Sequence, residues 1–237
     1  MVNEILLGDA YELIKTIPDK SVDCVYTDIP YLFASGGSAR KSRVGRNIAK
    51  LKTEIEPMSH GIDYKILDEY VRVLKRINCF IWCSKEQIIY ILNYFKNRGC
   101  HFEILVWCKT NPTPMCNNMF LPDIEYCLYF REVGVALNDG YALKSKWYLS
   151  ATNKRDKDRF AHPTIKPLDL VCRHIRHATQ PNDIILDTFI GSGTTAVACA
   201  TTNRRYIGME IEPRWHAVAV NRLQSIDVHG QTSFMVG

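Results

Sequence analysis

The stretch "DIILDTFIGSGTTAVACATTNRRYIGMEIEPRWHAVAVNRL" (183–223) decides the fold. "DIIL" is a short apolar run that ends in Asp187. Gly191 and Gly193 make a turn, and a helix begins near Thr194. "YIGME" is a second apolar run, ending in Glu210, and another helix follows. Short apolar runs bounded by turn residues read as buried strands. Strands alternating with helices build a mostly parallel sheet covered on both faces. The small residues of the turn let backbone approach a ligand, and the start of the helix offers unpaired N–H groups.

The acids on either side of the turn narrow the choice of ligand. A triphosphate-binding loop wants lysine after its glycines, and none follows here; the dinucleotide pattern G-x-G-x-x-G lacks its third glycine. Glu210, at the end of the second strand, suits a ribose, whose hydroxyls it can accept. Asp187, ahead of the glycines, disfavours a pyrophosphate and suits a cationic amine. S-adenosylmethionine carries that amine and a ribose, and no phosphate. A tight strand–helix turn without a ligand is the alternative at this point.

Outward from this stretch, the rest of the chain has the same grain. "EILLGD" reads as a strand, "AYELIKTIP" as a helix stopped at Pro18, and "SVDCVYT" as a buried strand. "DYKILDEYVRVLKR" (63–76) sets Ile66, Leu67, Tyr70, Val73 and Leu74 on one helical face. "NCFIWCS" (78–84) is a strand, and "KEQIIYILNYFKNRG" a helix ending at Gly99. "HFEILVWCK" and "DIEYCLYFR" are strands, and "TIKPLDLVCRHIRHAT" a helix. Residues 132–160, polar and irregular, are expected to be a surface insertion. His174 and His177, one helical turn apart with no third ligand, are expected at the surface, and no metal site is expected.

Length and composition agree with one domain over 1–237: 237 residues, 46% hydrophobic and 23% charged. No apolar run reaches membrane-spanning length, and the N-terminus does not read as a signal peptide. The nine cysteines form no C-x-x-C pair, which suits reduced thiols in a cytoplasmic protein. The formal net charge is +5. Much of the basic character lies in "ARKSRVGRNIAKLK" (39–52), where Arg40, Lys41, Arg43, Arg46, Lys50 and Lys52 stand with no acid among them. Such a loop is either a solvated surface segment or a grip on phosphates.

That loop, within about 33–62, follows "TDIPYLF" (27–33), where Asp28, Pro30 and Tyr31 crowd the exit of a strand. A strand end capped by tyrosine would account for the tetrapeptide alone. With "DIPY" and "DTFIGSGTT" together, the chain resembles the amino-directed DNA methyltransferases, which share a D/N/S-P-P-Y/F/W tetrapeptide and an F-x-G-x-G loop. The tetrapeptide comes first here, as in the β-ordered, circularly permuted group. "GDAYELIKTIPDKSVDCVYTDIPY" (8–31), "WCKTNPTPMCNNMFLPDIEYCLYF" and "HPTIKPLDL" (162–170) resemble further segments of that group.

The resemblance implies a Rossmann-like α/β fold, a seven-stranded, mostly parallel sheet with one antiparallel strand and helices on both faces. It implies that the first strand lies in the cofactor half despite its distance in sequence. S-adenosylmethionine would meet Asp9 at its adenine, Phe189 against it, and Thr164 and Lys166 near its methionyl end. Asp187, Gly191, Ser192, Gly193, Thr194, Thr195 and Glu210 complete the expected cofactor site. DNA is the implied partner, in a bacterial or phage restriction-modification setting, and a homodimer or a second subunit is left open. Arg40, Lys41, Arg43, Arg46, Lys50, Lys52, Lys144 and Lys146 are expected to flank the DNA.

The tetrapeptide suits this chemistry. An exocyclic amine is a poor nucleophile because its lone pair is delocalised into the ring. The Asp28 carboxylate and the carbonyl of residue 29, held by Pro30, can each accept one N–H and favour a pyramidal nitrogen. Tyr31 offers a face to a base swung out of the duplex. Methylation at a ring carbon of cytosine would want a Pro-Cys nucleophile, and no Pro-Cys occurs. The family's usual second residue is proline, whereas this chain has Ile29. Aspartate at the first position is more typical of adenine-N6 enzymes, with cytosine-N4 as the alternative. A non-catalytic DNA-binding subunit would keep the fold without turnover. Protein-glutamine methyltransferases share the tetrapeptide but carry the glycine loop first.

Overall fold

The computed structural model describes residues 2–32, 60–112, 120–138, 140–152 and 165–227. In chain order the elements are β1 (Glu4–Leu7), α1 (Ala10–Leu13), β2 (Cys24–Asp28), α2 (Ile66–Val73), β3 (Asn78–Cys83), α3 (Ile88–Lys96), β4 (His101–Lys109) and β5 (Ile124–Arg131). There follow β6 (Trp147–Ser150), α4 (Leu168–Ala178), β7 (Ile184–Asp187), α5 (Thr194–Thr201), β8 (Arg205–Glu210) and α6 (Pro213–Asp227). The strands form one sheet in the order β1-β8-β7-β2-β3-β5-β4-β6. Only β5 runs against its neighbours.

The sheet therefore has eight strands, not seven. The extra one is β6, which adds in parallel to the edge of β4, pairing Val106 with Trp147 and Lys109 with Ser150. It arises inside the 132–160 stretch that reads as an irregular insertion. Its four residues, "WYLS", are too short and too closely flanked by polar residues to announce a strand. At the other edge β1 pairs in parallel with β8, Ile5 opposite Gly208. The first and last described strands thus meet in one half of the sheet, as the resemblance implies.

Alternation along the central strands sorts the core onto two faces. Val25, Ile29, Cys79, Ile81 and Phe130 face α2 and α3, where Ile66, Leu67, Tyr70, Val73, Ile91 and Phe95 are buried against them. Tyr26, Phe80, Trp82, Tyr129 and Ile185 face α4 and α5. All six residues of β3 are buried, as a strand covered on both faces requires. No helix among the described residues is long and apolar enough to cross a membrane.

His174 is not at the surface. It is 4% exposed, stacks on Phe80 with centroids 5.1 Å apart, and its Nδ1 lies 3.3 Å from the Tyr26 hydroxyl. Burial pushes its pKa down to about 3, so it sits in the core as a neutral ring. His177, partly buried, places Nδ1 3.0 Å from the Asn138 carbonyl.

Asn78 is the polar tie between the sheet and α4. Its Nδ2 donates to the carbonyls of Asp23 and Ala178, and its Oδ1 accepts from the Tyr129 hydroxyl. Asn78→Ala would leave those buried partners unsatisfied. Urea denaturation is expected to show a loss of about 2–3 kcal/mol, and a loss under 1 kcal/mol would show that the tie is dispensable.

Candidate active site

From β7 the chain continues to β8 on one side of the sheet, and from β2 to β3 on the other. The crevice between the C-terminal ends of β7 and β2 is therefore the topological switch point, where open α/β sheets bind ligands. Carboxylates line this edge. Asp9 follows β1, Glu210 ends β8, Asp187 ends β7 and Asp28 ends β2. The expected cofactor acids and the tetrapeptide are thus neighbours on one rim.

Asp187 is 3% exposed, and its Oδ1 accepts the Phe189 N–H at 3.1 Å. Burial lifts its pKa to about 7 against the hydrogen bonds that favour its charged form. Glu210 is buried, and its two oxygens accept the N–H groups of Gly191 (2.9 Å) and Glu212 (2.8 Å). A carboxylate has about four lone-pair sites, so acceptor capacity remains. Phe189 is partly buried, edge-on to Tyr11, and Asp9 caps α1 by accepting the Tyr11 N–H.

The last helix holds the glycine turn from behind. Gly193 sits at φ +82°, and a Cβ there would stand 2.9 Å from Cβ and 3.0 Å from Cα of Ala219. Arg222, 6% exposed, donates through Nη1 to the Ser192 carbonyl (2.7 Å), Ser192 Oγ (3.0 Å) and Thr194 Oγ1 (3.2 Å). Thr194 and Thr195 are buried at the start of α5. Neither Ala219 nor Arg222 was marked by the sequence reading, because only packing brings α6 onto the turn.

Across the crevice, Asp28 Oδ2 takes the Lys166 ammonium at 2.5 Å. Its Oδ1 is buried and has no hydrogen-bond partner among the described residues. Burial raises the Asp28 pKa, and Lys166 opposes that rise. Lys166 also reaches Glu125 Oε2 (2.9 Å) and the Tyr31 hydroxyl (3.2 Å). For Lys166 itself burial works against the charge, but the two carboxylates outweigh it and raise its pKa. It is therefore a fixed cation. Glu125 Oε1 pairs with Lys109 at 2.7 Å. Burial would raise the Glu125 pKa, yet Lys166 and Lys109 hold it at about 2.

The backbone of the tetrapeptide is pinned in turn. The Ile29 N–H donates to the Trp82 carbonyl (3.2 Å), extending the β2–β3 ladder by one bond. Proline at 29 could not make that bond. The Ile29 side chain is 1% exposed and belongs to the core. The Pro30 carbonyl accepts from Gln87 Nε2 at 3.0 Å, and Gln87 Oε1 accepts the Ser84 N–H.

Thr164 and the basic residues Arg40, Lys41, Arg43, Arg46, Lys50 and Lys52 lie outside the described residues. Lys144 and Lys146 are exposed, and Lys146 pairs with Glu103. Lys146 precedes β6, whose far end, Ser150, is the one beside Lys109; four residues of strand put it about 13 Å back from the rim. Trp147 is exposed, and Tyr148 is half-buried under the Arg173 guanidinium. Gln87, Lys109 and Glu125 were missed. An acid between the apolar residues of "IEYCLYF" (124–130) was the available signal for Glu125.

Fold and rim together define an α/β protein with a carboxylate-lined crevice at the switch point of its sheet. The family follows from comparison: the model of the N6/N4 DNA methylase family matches residues 22–221, and the chain belongs to that family. It is 30% identical to the type II methyltransferase M.HinfI of Haemophilus influenzae, over 95% of this chain and 69% of that protein. It is also 30% identical to M2.LlaDCHI of Lactococcus lactis subsp. cremoris, over 96% and 92% of the two chains. Among solved structures, the M1.HpyAVI–SAM complex superimposes with a TM-score of 0.67 at 26% identity, covering 93% of this chain and 98% of that one. The cytosine-N4-specific PvuII methyltransferase shares the fold, with a TM-score of 0.66 at 15% identity, over 95% and 91%.

Gly193 offers a direct test of the turn. Gly193→Ala combines a left-handed φ with a clash against backbone, and is expected to cost about 2–3 kcal/mol of stability. Gly99→Ala, at φ +75° with nothing within 4 Å of the new Cβ, is expected to cost about 1 kcal/mol. Equal losses in denaturant titrations would remove the role given to Ala219.

Proposed function

We propose that the chain transfers a methyl group from S-adenosylmethionine to the N6 amine of adenine in DNA. The observation that carries this reading is Asp28, held by Lys166 through Oδ2 while Oδ1, buried at the switch point, has no hydrogen-bond partner among the described residues. A buried acceptor with no partner costs free energy unless a ligand donor completes it. S-adenosylmethionine, when bound, supplies an electrophilic methyl group on a sulfonium. The residues of the glycine side fit it: Asp187 for its ammonium, Glu210 for its ribose hydroxyls, Phe189 and Asp9 for its adenine.

Asp28 Oδ1 and the Ile29 carbonyl each accept one N–H of the target amine, which orients the nitrogen lone pair toward the methyl group. The ring of Tyr31 stacks against the flipped base. Lys166 is an ammonium throughout and cannot take the proton that the amine releases. Asp28, its pKa raised by burial, is the group placed to accept it. Catalysis is then positioning and electrostatics, with no covalent intermediate on the protein.

Adenine is favoured over cytosine by aspartate at the head of the tetrapeptide, through the family resemblance. Ile29 is compatible with turnover, because the ladder bond from its N–H replaces the stiffness of the missing ring. Labelled methyl from S-adenosylmethionine is expected in N6-methyladenine after digestion of treated duplex DNA. Asp28→Ala should lower that transfer by about a hundredfold or more while leaving cofactor binding within about twofold, since Asp28 lies on the other side of the crevice. Label confined to N4-methylcytosine would move the assignment to cytosine.

Cofactor affinity should depend on pH through Asp187. Its pKa of about 7 means that the free protein carries a neutral carboxyl below neutrality. A cationic amine binds the ionised form, so binding releases a proton and affinity rises as pH climbs through 7. Calorimetry is expected to give a Kd about tenfold weaker at pH 6 than at pH 7.5. Asp187→Asn should bind weakly and lose that slope; a wild-type affinity flat with pH would exclude the role.

A further inference from the structure

We infer that Glu125, anchored by Lys109, is a positioning residue that divides the Lys166 ammonium between two carboxylates, so that Asp28 keeps Oδ1 for the target amine. This inference rests on the methyl-transfer reading above and assigns a role to a residue outside both sequence motifs. Glu125 lies on β5, the one antiparallel strand, two strands away from Asp28. Its oxygens have separate duties. Oε1 is bound by Lys109, whereas Oε2 meets Lys166 at 2.9 Å and the Tyr31 hydroxyl at 3.4 Å.

The physical need is plain from the charges. A buried lysine facing a single aspartate would seek both carboxylate oxygens, because bidentate contact satisfies more of its donors. Glu125 offers an equivalent acceptor on the opposite side and draws the ammonium away from Oδ1. Lys109 neutralises what would otherwise be a second uncompensated buried carboxylate. Asp28, Lys166, Glu125 and Lys109 then form a chain of alternating charge with no net charge. Tyr31 joins the same cluster: its hydroxyl hydrogen-bonds the Asp28 carboxylate, accepts from Lys166 and lies 3.4 Å from Oε2.

Glu125→Gln keeps the shape and removes the charge. The titratable groups that bear on Asp28 are Lys166, Glu125, Tyr31, Tyr26 of β2, Cys83 of β3, Cys127 of β5 and Asp187 of β7. Burial pushes both tyrosines and both thiols up, leaving the carboxyls to change charge in the acid to neutral range. Removing the negative charge of Glu125 should lower the Asp28 pKa, read by carboxyl carbon-13 NMR on the whole protein. On DNA, kcat should fall by about tenfold to a hundredfold, with the S-adenosylmethionine Kd within about twofold. Glu125→Asp should recover kcat to within about threefold, because a charge returns at nearly the same place.

A Glu125→Gln protein with unchanged kcat overturns the inference. So does a loss of kcat accompanied by weaker cofactor binding and no displacement of the Asp28 titration, which would mark a merely structural role. Wild-type protein that binds the cofactor but transfers nothing would sink the methyl-transfer reading instead. The carboxyl titration would still decide whether Glu125 controls Asp28.

Discussion

The site depends on one shared proton donor. Lys166 stands between Asp28 and Glu125, each within 2.9 Å of its ammonium. Two carboxylates this close, out of water, could not both stay ionised alone, since like charges raise one another's pKa. The ammonium makes the pair tolerable, and Lys109 completes the balance from the far side of Glu125. Asp187, a short way along the same rim, has no such cation beside it among the described residues and is driven up to about 7. The crevice thus keeps two differently prepared carboxyls. One is steadied by a lysine; the other is set by burial and neutral hydrogen-bond donors.

Ile29 shows how the same geometry can be reached by different means. Proline fixes φ through its ring and gives up an N–H. Isoleucine keeps the N–H, and here it bonds the Trp82 carbonyl while the side chain fills the core between sheet and helix. The carbonyl of residue 29 is therefore set by the sheet ladder, with Gln87 fixing the next carbonyl in line. Rigidity that proline would supply locally is supplied by tertiary contacts. The substitution changes the source of the constraint and leaves the direction of the carbonyl to the same strand.

Much of this was legible in the residues. The alternation of short apolar runs with helical faces located the strands of the parallel core, and the acids at their ends located the rim. What stayed hidden needed long-range packing. "WYLS" became a strand only because β4 offered it an unpaired edge. His174 looked solvent-facing beside three basic neighbours, yet it falls on the apolar stripe of α4 with Leu170, Val171, Ile175 and Ala178. Its periodicity marked it as buried more reliably than its chemistry marked it as exposed. Glu125 and Lys109 were obscured in the opposite way, as charges within strands whose partners come from far along the chain.

The order of the elements in the chain matters little to any of this. The acids act from the C-terminal ends of parallel strands, and those ends share a rim because of the sheet, whichever strand was made first. β1 closes onto β8 from the other end of the sequence, and Asp9 thereby joins Glu210 beside the glycine turn. A circular rearrangement that preserved the ladder would preserve the rim. By contrast, β5 cannot be exchanged so freely. Its reversed direction is what carries Glu125, near the start of the strand, to the end of the sheet where β2 and β4 finish, between Asp28 and Lys109. A parallel strand in that slot would carry a residue in Glu125's place to the opposite end of the sheet. The single antiparallel strand is thus the topological condition for sharing Lys166.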